Sequence, residues 1–446
     1  MMPQLQREEQ VSSAQEKPAW SLATRVAFRF IFSYFILYVY PRTVGSLGAG
    51  VKYSNPVKDL WQAVVPWVGT SLLHLPGPIT EVANGSGDQL YDYVQLLCIA
   101  VCAAVITVIW SVLDRKRPDY RVGFQWLRLF VRLVVAVAMI SYGANKLFRM
   151  QFPEPYLATF VGTYGRSSPM GLLWVFMGMS RLYSFFGGIG EMVGGLLLVV
   201  PRFTTLGALI SGAMMTNVLL LNLAYDVPRK IYSIHLVLMC VFLLLPDLRR
   251  IVDFFLLNRK VQLLPPAPLF KSNDKLLNYG VGLLQVAVGV GALVVCGNQA
   301  YIDAAKKVEQ LPPPIRGIWS VDDFQLDNVS RPPLVTDTER WRHVIFDAPK
   351  VLTIESMNGA QKRYYMELDV KKKSFNLWDS DHPEWNATFT FDDSQPDRMT
   401  LTGEFGNQSV TANLKRTDMS DPEEFLLINR GFHWIDEYPH QTPLVP

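Results

Sequence analysis

Apolar and polar positions divide the chain into two regions with different periods. Between about residues 22 and 300, apolar stretches of roughly 20 residues alternate with polar loops. A helix of that length crosses about 30 Å of hydrocarbon, so each stretch predicts a membrane span. The predicted spans are 23–41, 91–113, 122–145, 180–200, 203–223, 230–246 and 276–297.

The C-terminal region has a period of two. Short segments with alternating apolar and polar residues are separated by turn sequences such as MNGAQ, DDSQPD and FGNQS. Segments from GIWSVDDFQLD to FLLINRGFHWI predict an antiparallel barrel or sandwich of about eight strands. The opening Gly317-Ile318-Trp319 and the closing segment with Arg430 resemble a lipocalin-like barrel, in which Gly-x-Trp caps one end. Such a barrel either holds a small apolar ligand or is packed solid.

The two patterns together predict a polytopic α-helical membrane protein with a C-terminal β domain. We expect a cytoplasmic tail at 1–21, a transmembrane domain at 22–300, a proline-rich linker at 301–312 and the extracytoplasmic lipocalin-like β domain at 313–440.

Loop charge predicts the orientation of the spans. The loop DRKRPDYR at 114–121 and the stretch 247–275 are rich in Arg and Lys. Basic loops stay in the cytoplasm, and seven spans put both loops on the side of the N-terminus. We therefore expect a bacterial inner-membrane protein with a periplasmic or otherwise extracytoplasmic C-terminal domain. The net charge of +3 adds little, since the charges are concentrated in loops. Without a basic stripe or binding motif, we expect no nucleic-acid partner.

The first outer loop, 43–89, holds two candidate features. KDLWQAVVPWVGTSLLHL has apolar residues at helical spacing and predicts an interfacial helix interrupted at Pro66. GSGD at 85–88 either binds an anion through backbone N–H groups or caps the second span through Ser86 or Asp88.

Glu191 is the most informative residue of the transmembrane region. It lies near the middle of its span in GGIGEMVGGLLLVV, among glycines that allow another helix to approach closely. A carboxylate in lipid must be protonated, hydrogen-bonded or paired with a cation. Lys146, at the outer end of its span, either pairs with Glu191 or extends outwards to the membrane surface.

Further polar residues lie in the outer half of the spans or in the loops beside them. They are Tyr142, Asn145, Asn217, Asn222, Asp226, Lys230, His235 and Asp88. We predict that Glu191, Lys146 and His235 are catalytic and that the other seven bind substrate in one pocket open to the outside. The alternatives are a helix-start ion pair for Asp226 and Lys230, and a carbonyl-bonded His235. We expect Arg149 to anchor at the headgroups.

Cysteines and histidines indicate no metal or disulfide chemistry. All four cysteines (Cys98, Cys102, Cys240 and Cys296) fall in apolar segments. Cys98 and Cys102, at i and i+4, are either a redox pair or apolar packing residues. The four histidines of the C-terminal region lack ligand spacing, so we expect no metal site.

Four motifs carry a resemblance to a known family. At YGANKL…QFP, GLLWVFMG, GGIGEMVGGLLLV and NLAYDVPRKIYSIHLVLM the chain resembles DoxX-family membrane proteins, in particular the larger bacterial members. The resemblance covers about 122–256 and implies a four-helix core. Lys146 matches the basic residue that ends the first core helix, and Glu191 with Gly194 matches the Glu-x-x-Gly pattern of the second.

What the resemblance implies is a membrane subunit linked to redox chemistry. One relative is the DoxD component of a thiosulfate:quinone oxidoreductase, and others associate with thiol and oxidative-stress enzymes. No haem, flavin or iron–sulfur ligand set is recognisable here, which argues against catalysis by this chain alone. No cofactor is evident from the residues, and quinone is the ligand that the redox hypothesis implies.

Three hypotheses follow. The first is a quinone-binding or electron-relay subunit for an extracytoplasmic redox protein, embedded in membrane lipid; if the chain is an enzyme, it is a membrane oxidoreductase subunit. The second is a non-catalytic anchor or assembly factor that presents the β domain to a partner. The third is a carrier of lipid or another small molecule.

Overall fold

The structure, a computed structural model, combines a helical membrane region with a β-barrel. It describes residues 19–47, 56–82, 84–261, 274–309, 315–379, 381–382, 384–421 and 425–434. In these residues seven helices are long and apolar enough to cross a membrane, and a C-terminal antiparallel sheet closes into a barrel. Both parts of the predicted fold class are confirmed.

The helices follow the apolar stretches closely. They are α1 Leu22–Leu47, α2 Pro56–Trp67, α3 Leu90–Leu113, α4 Arg121–Leu147, α5 Ala158–Val161, α6 Pro169–Met179, α7 Arg181–Val199, α8 Thr204–Ala224, α9 Lys230–Leu244, α10 Leu248–Phe255, α11 Lys275–Glu309 and α12 Leu426–Asn429. The candidate spans lie in α1, α3, α4, α7, α8, α9 with α10, and α11.

Two helical predictions need correction. Helix α2 runs through Pro66, and a π-helical turn at Val68–Leu72 continues it, so the proline does not interrupt the helix where we expected. Helix α11 continues to Glu309, so most of the expected linker at 301–312 is helical. Its sequence YIDAAKKVE contains good helix formers and no breaker before the prolines that follow. Residues 310–314 lie outside the described part.

The described chain divides into two compact units, Met1–Gly143 with Ile189–Cys296, and Ala144–Gly188 with Gly297–Pro446. In the first unit, α1 packs against α3 and α8 packs against α9. Its core lies along α4, where Val131, Val135 and Met139 are fully buried.

Glycines on α7 allow the close approach that the sequence predicts. A β-carbon at Gly195 would lie 2.9 Å from the carbonyl oxygen of Ala136 on α4. A β-carbon at Gly194 would lie 2.6 Å from the hydroxyl of Ser211 on α8. Neither position has room for a side chain, so α7 is held tightly between two neighbouring helices.

The barrel belongs to the second unit. Its strands are β1 Gly317–Leu326, β2 Val329–Ser330, β3 Trp341–Ala348, β4 Val351–Ser356, β5 Gln361–Asp369, β6 Ser374–Trp378, β7 Asn386–Gln395, β8 Arg398–Phe405 and β9 Gln408–Arg416. Consecutive strands pair in antiparallel fashion, and β1 pairs with β9 to close eight strands into a ring. The two-residue β2 pairs only with the end of β1.

One end of the barrel is closed by Trp319 and Arg416. The Arg416 guanidinium lies 5.6 Å from the centre of the Trp319 ring and donates to the carbonyl of Arg316. The expectation that Arg430 closes a final strand is wrong, because Leu426–Asn429 form the short helix α12 and Arg430 follows this helix outside any strand. The ring is already closed by β9, so no strand edge remains for another segment to pair with.

Aromatic side chains fill the interior of the barrel. Trp341 contacts Phe389 and Phe405, with ring centres 5.8 and 5.3 Å apart, and Phe389 stacks on Phe375 at 5.4 Å. Rings from opposite walls therefore meet across the interior, which favours a packed core over a ligand cavity.

The loop between α4 and α6 packs on the outside of the barrel. The backbone N–H of Leu157 donates to the Asp347 carboxylate at 2.6 Å, and the Gln361 side chain donates to the carbonyl of Ala158 at 3.0 Å. Leu157 and Ala158 also form a small apolar cluster with Ile318 of β1 and Ile345 of β3. The loop and the barrel therefore pack together within the second unit.

Candidate functional site

Glu191 lies in the most tightly packed part of α7. Gly194 and Gly195, three and four residues later, occupy the same face of the helix and contact α8 and α4. The Glu191 side chain is 1% exposed. An intramembrane carboxyl group that is buried this completely is a functional candidate by default.

Tyr142 connects Glu191 with the loop that precedes α9. The Tyr142 hydroxyl lies within electrostatic range of Glu191, Arg229 and Tyr232. The rings of Tyr142 and Tyr232 are 6.1 Å apart. The first unit therefore brings together one carboxyl group, two phenols and one guanidinium, and we call these four residues the Glu191 cluster.

Two members of the Glu191 cluster were missed by the sequence analysis. Arg229 and Tyr232 stand in the quoted motif NLAYDVPRKIYSIHL, beside Lys230 and His235. Helical spacing offers a signal for Tyr232, which lies three residues before His235 on the same helix. Arg229 precedes the helix, so no periodicity could have indicated its direction.

His235 has protein partners on both ring nitrogens. Nδ1 lies 2.6 Å from the carbonyl oxygen of Ile231, and Nε2 lies 2.8 Å from the hydroxyl of Tyr34. The ring also stacks on Tyr38 with centres 3.7 Å apart. This arrangement suits a neutral imidazole that donates from Nδ1 and accepts at Nε2. It favours the alternative of a carbonyl-bonded histidine over direct contact with a substrate.

The two asparagines of α8 have different surroundings. Asn222 is buried and donates to the Ser233 hydroxyl at 3.1 Å and to the carbonyl of Arg229 at 3.3 Å, so it fixes the start of α9. Asn217 lies on an exposed face of the helix and is not part of the buried cluster. Sequence position placed both in the outer half of a span, but only the three-dimensional packing separates their roles.

Asp88 caps a helix other than the expected one. Its carboxylate accepts hydrogen bonds from the backbone N–H groups of Lys230 and Ile231, at 2.7 and 2.9 Å, at the start of α9. The second span is capped instead by Gln89 and Asp92, which form a capping box. A carboxylate on a helix N-terminus is stabilised by the free N–H groups and the helix dipole.

Asp226 and Lys230 form the helix-start ion pair that was one of the alternatives. Their charged atoms are 2.7 Å apart, and the Asp226 side chain is largely exposed. The pair lies at the edge of the Glu191 cluster, next to Arg229, and leaves Asp226 directed to solvent.

Lys146, Asn145 and Arg149 end α4 in the second unit. Lys146 is buried, with its Cδ atom 3.7 Å from where a β-carbon at Gly187 would lie. The Asn145 carbonyl accepts from the N–H groups of Met150 and Gln151 and so closes the helix. The pairing of Lys146 with Glu191 stays a prediction.

Arg149 has partners within the protein. It donates to the Glu154 carboxylate at 2.7 Å and to the carbonyl of Gly178 at 2.8 Å. The expected role of headgroup anchor needs correction, because these bonds use Arg149 to hold the turn after α4 against the end of α6.

A second set of buried charges was missed at the opposite end of the bundle. Arg29 on α1 donates to the hydroxyls of Tyr120 and Ser111 and to the carbonyl of Asp114. Arg128 on α4 pairs with Asp247 at 3.3 Å. The signal was present in the sequence, since all these arginines lie inside apolar stretches, where charges are costly.

The cysteine sites fit packing better than redox chemistry. Cys98 is buried and Cys102 is exposed, although they lie one turn apart on α3, and all four cysteines are free. Among the described residues, no group of three His, Cys, Asp or Glu side chains could hold a metal ion.

Comparison with known proteins identifies one relative over part of the chain. A stretch of 126 residues is 32% identical to the uncharacterized protein YwoB of Bacillus subtilis (strain 168), and it covers 28% of this chain and 79% of that protein. The chain belongs to the YwoB family. No protein-family profile matches the chain, and no solved structure matches it. The name YwoB carries no activity, so the DoxX resemblance stays a prediction.

Proposed function

We propose that the chain is a DoxX-type inner-membrane subunit that binds a quinone at the Glu191 cluster and serves a redox protein outside the cytoplasm. Seven spans with a cytoplasmic N-terminus would place the barrel outside. The packing of the loop between α4 and α6 on the barrel supports this count, because both segments must then share one side.

The observation that carries the proposal is the complete burial of Glu191 in a membrane span, within electrostatic range of Tyr142. Reduction of a quinone to a quinol takes up two electrons and two protons. In this proposal the redox protein would supply both electrons, and the Glu191 carboxyl group would donate one proton to a quinone oxygen. Water outside the cytoplasm would supply the second proton and would reprotonate Glu191. The Tyr142 and Tyr232 hydroxyls would hydrogen-bond the head group, and Arg229 would stabilise negative charge as it develops.

The test is quinone binding by the purified full-length protein. We expect a quinone to co-purify or to bind on addition, and Glu191→Gln to weaken binding by about tenfold, since disrupting one buried hydrogen bond costs about 1–3 kcal/mol. The readout is the amount of quinone extracted and separated by chromatography, together with the absorbance change when the bound quinone is reduced.

Asp226→Asn is the matched control for Glu191→Gln. It also neutralises one carboxylate near the start of α9, but the Asp226 side chain is exposed and paired with Lys230. We expect it to bind quinone as the wild type does. A wild-type protein with no bound quinone and no quinone-dependent absorbance change would contradict the proposal.

A second candidate is the non-catalytic anchor. The fixed contact between the barrel and the loop at Leu157 and Ala158 favours it, because an anchor must hold the domain that it presents. In this case Glu191→Gln leaves the cellular phenotype intact, while removal of 313–440 abolishes it. The aromatic packing inside the barrel gives the carrier hypothesis the least support.

A further inference from the structure

Arg132 is a buried cation with neutral partners. It lies in the middle of α4 and is 0% exposed. Its guanidinium donates to the hydroxyl of Thr204 at 3.3 Å and to the side-chain oxygen of Gln285 on α11. In the part of the chain that the structure describes, its Nε–H is buried without an acceptor. A full positive charge in a helical bundle, bonded only to neutral oxygens, lacks the counter-charge that burial normally requires.

The surroundings add positive charge. Arg128, one turn earlier on α4, faces Arg132 and also has a buried Nε–H without an acceptor in the described residues. The nearby carboxylate, Asp247, is already engaged by Arg128, by the hydroxyl of Thr205 and by Arg250. One carboxylate therefore pairs with two guanidiniums, and Arg132 adds a third positive charge, which leaves the group with excess positive charge.

The start of α8 reinforces this electrostatic bias. Thr204, which accepts from Arg132, is the first residue of α8, a helix of 21 residues. The positive end of the α8 dipole favours an anion at the same place, although the Thr204 N–H itself donates to the carbonyl of Pro201. The side chains of Arg128 and Asp247 are partly exposed, at 15% and 18%, so the group reaches the surface of the bundle.

We propose that Arg128, Arg132 and the start of α8 form a binding site for a phosphate group, supplied by an anionic phospholipid. Planar guanidinium forks match the oxygens of a phosphate, and unpaired N–H groups are available on both arginines. Basic pockets between membrane helices characteristically bind acidic headgroups. The lipid belongs to the leaflet at the membrane face where α8 begins. This site is independent of the Glu191 cluster.

The experiment is a thermal-shift titration of the detergent-solubilised full-length protein. We expect phosphatidylglycerol to raise the unfolding temperature by about 3 °C or more, because a ligand that binds only the folded state stabilises it. Phosphatidylcholine, whose headgroup is neutral overall, should give no shift. Arg132→Gln should remove most of the shift while leaving the protein folded.

Arg249→Gln is the control, because it removes one positive charge from an exposed side chain near Asp247 and touches neither arginine of the site. It should retain the wild-type shift. If Arg132→Gln fails to fold, Arg132→Lys keeps the charge and loses the fork, and we expect at most half the shift. An equal shift with inorganic phosphate supports the site and assigns it to a free anion. An unchanged shift in Arg132→Gln and Arg132→Lys would overturn the site.

Discussion

Two buried arginines, one in each unit, differ in how completely their donors are used. Arg340 in the barrel is 2% exposed, and Arg132 in the helical bundle is 0% exposed. Arg340 donates to the carbonyls of Arg331, Trp341, Val321 and Asp322 and to the sulfur of Met357. Among the residues that the structure describes, Arg132 has only Thr204 and Gln285 as hydrogen-bond partners.

The difference separates a structural role from a binding role. Neutral backbone carbonyl oxygens accept the hydrogen bonds of Arg340, so its guanidinium needs no ligand. The role of Arg340 is therefore to stabilise the folded barrel. Carbonyls of a membrane helix are already used by the helix itself, so Arg132 must depend on side chains or on a ligand. We expect a buried guanidinium whose N–H groups have acceptors within the protein to stabilise the fold. We expect one that retains an N–H group without an acceptor to bind a ligand.

The largest expected effect is that of removing Arg340. Arg340→Ala removes four hydrogen bonds to carbonyl oxygens, two of them buried, so we expect the barrel to lose about 3–5 kcal/mol of unfolding free energy. Arg342→Ala, on the exposed face of β3, should change stability by less than about 0.5 kcal/mol. Denaturant unfolding followed by tryptophan fluorescence measures both. Equal losses in the two variants would contradict the structural role of Arg340.

The second-largest loss of stability is expected for a substitution that disturbs the packing of α7. Gly195→Ala forces a methyl group to within 2.9 Å of the Ala136 carbonyl, and we expect a loss of about 1–3 kcal/mol from overpacking. Gly291→Ala on α11 meets nothing within 4 Å and should be neutral or slightly stabilising. Thermal stability in detergent distinguishes the variants. A tolerated Gly195→Ala would mean that α7 is not held as tightly as the structure shows.

Loss of the cap at the start of α9 should lower the stability by a smaller amount. Asp88→Ala removes two charge-assisted hydrogen bonds and should cost about 1 kcal/mol. Asp226→Ala removes only an exposed ion pair and should cost about 0.5 kcal/mol or less. The comparison needs unfolding curves of the two variants side by side. A larger loss in Asp226→Ala would reverse the assigned roles.

The smallest effect concerns pH and the loop that carries Arg340. Hydrogen bonds from the backbone N–H groups of Arg340 and Glu339 hold the pKa of Asp337 below its usual value. A lowered pKa in the folded state adds stability above the unfolded pKa of about 3.9, and that stability disappears as the pH falls through the folded pKa. Asp337→Asn should flatten the acid limb of the barrel's stability curve. An unchanged limb would show that Asp337 does not contribute.

The spacing of apolar residues predicted the architecture, because this spacing can be read in a short window of sequence. The seven spans and the antiparallel barrel follow from stretches of about 20 residues and from alternation, each of which is visible in a short window. The prediction of a final strand at FLLINRGFHWI was wrong. The segment resembles a strand in its apolar pattern, but β1 already pairs with β9, so the ring offers it no strand to pair with. Closure is a property of the whole sheet.

The candidate site was predictable in part. Burial of Glu191 followed from its position in a glycine-rich span. The convergence of Glu191 with the other predicted site residues in one pocket stays a prediction. The target of Asp88 and the Tyr34 partner of His235 could not be predicted, because each bond joins elements far apart in sequence. Arg132 needed only the rule, applied to Glu191, that charges in lipid deserve an explanation.

Native mass spectrometry of the full-length protein tests the central contrast most directly. It counts the anionic phospholipids that remain bound to the wild type, to Arg132→Gln and to Arg340→Gln after the same detergent exchange. The account predicts that Arg132→Gln loses a bound lipid that the wild type keeps, and that any folded Arg340→Gln protein keeps it. Identical lipid counts in the wild type and Arg132→Gln, or loss of the lipid in Arg340→Gln alone, would contradict it.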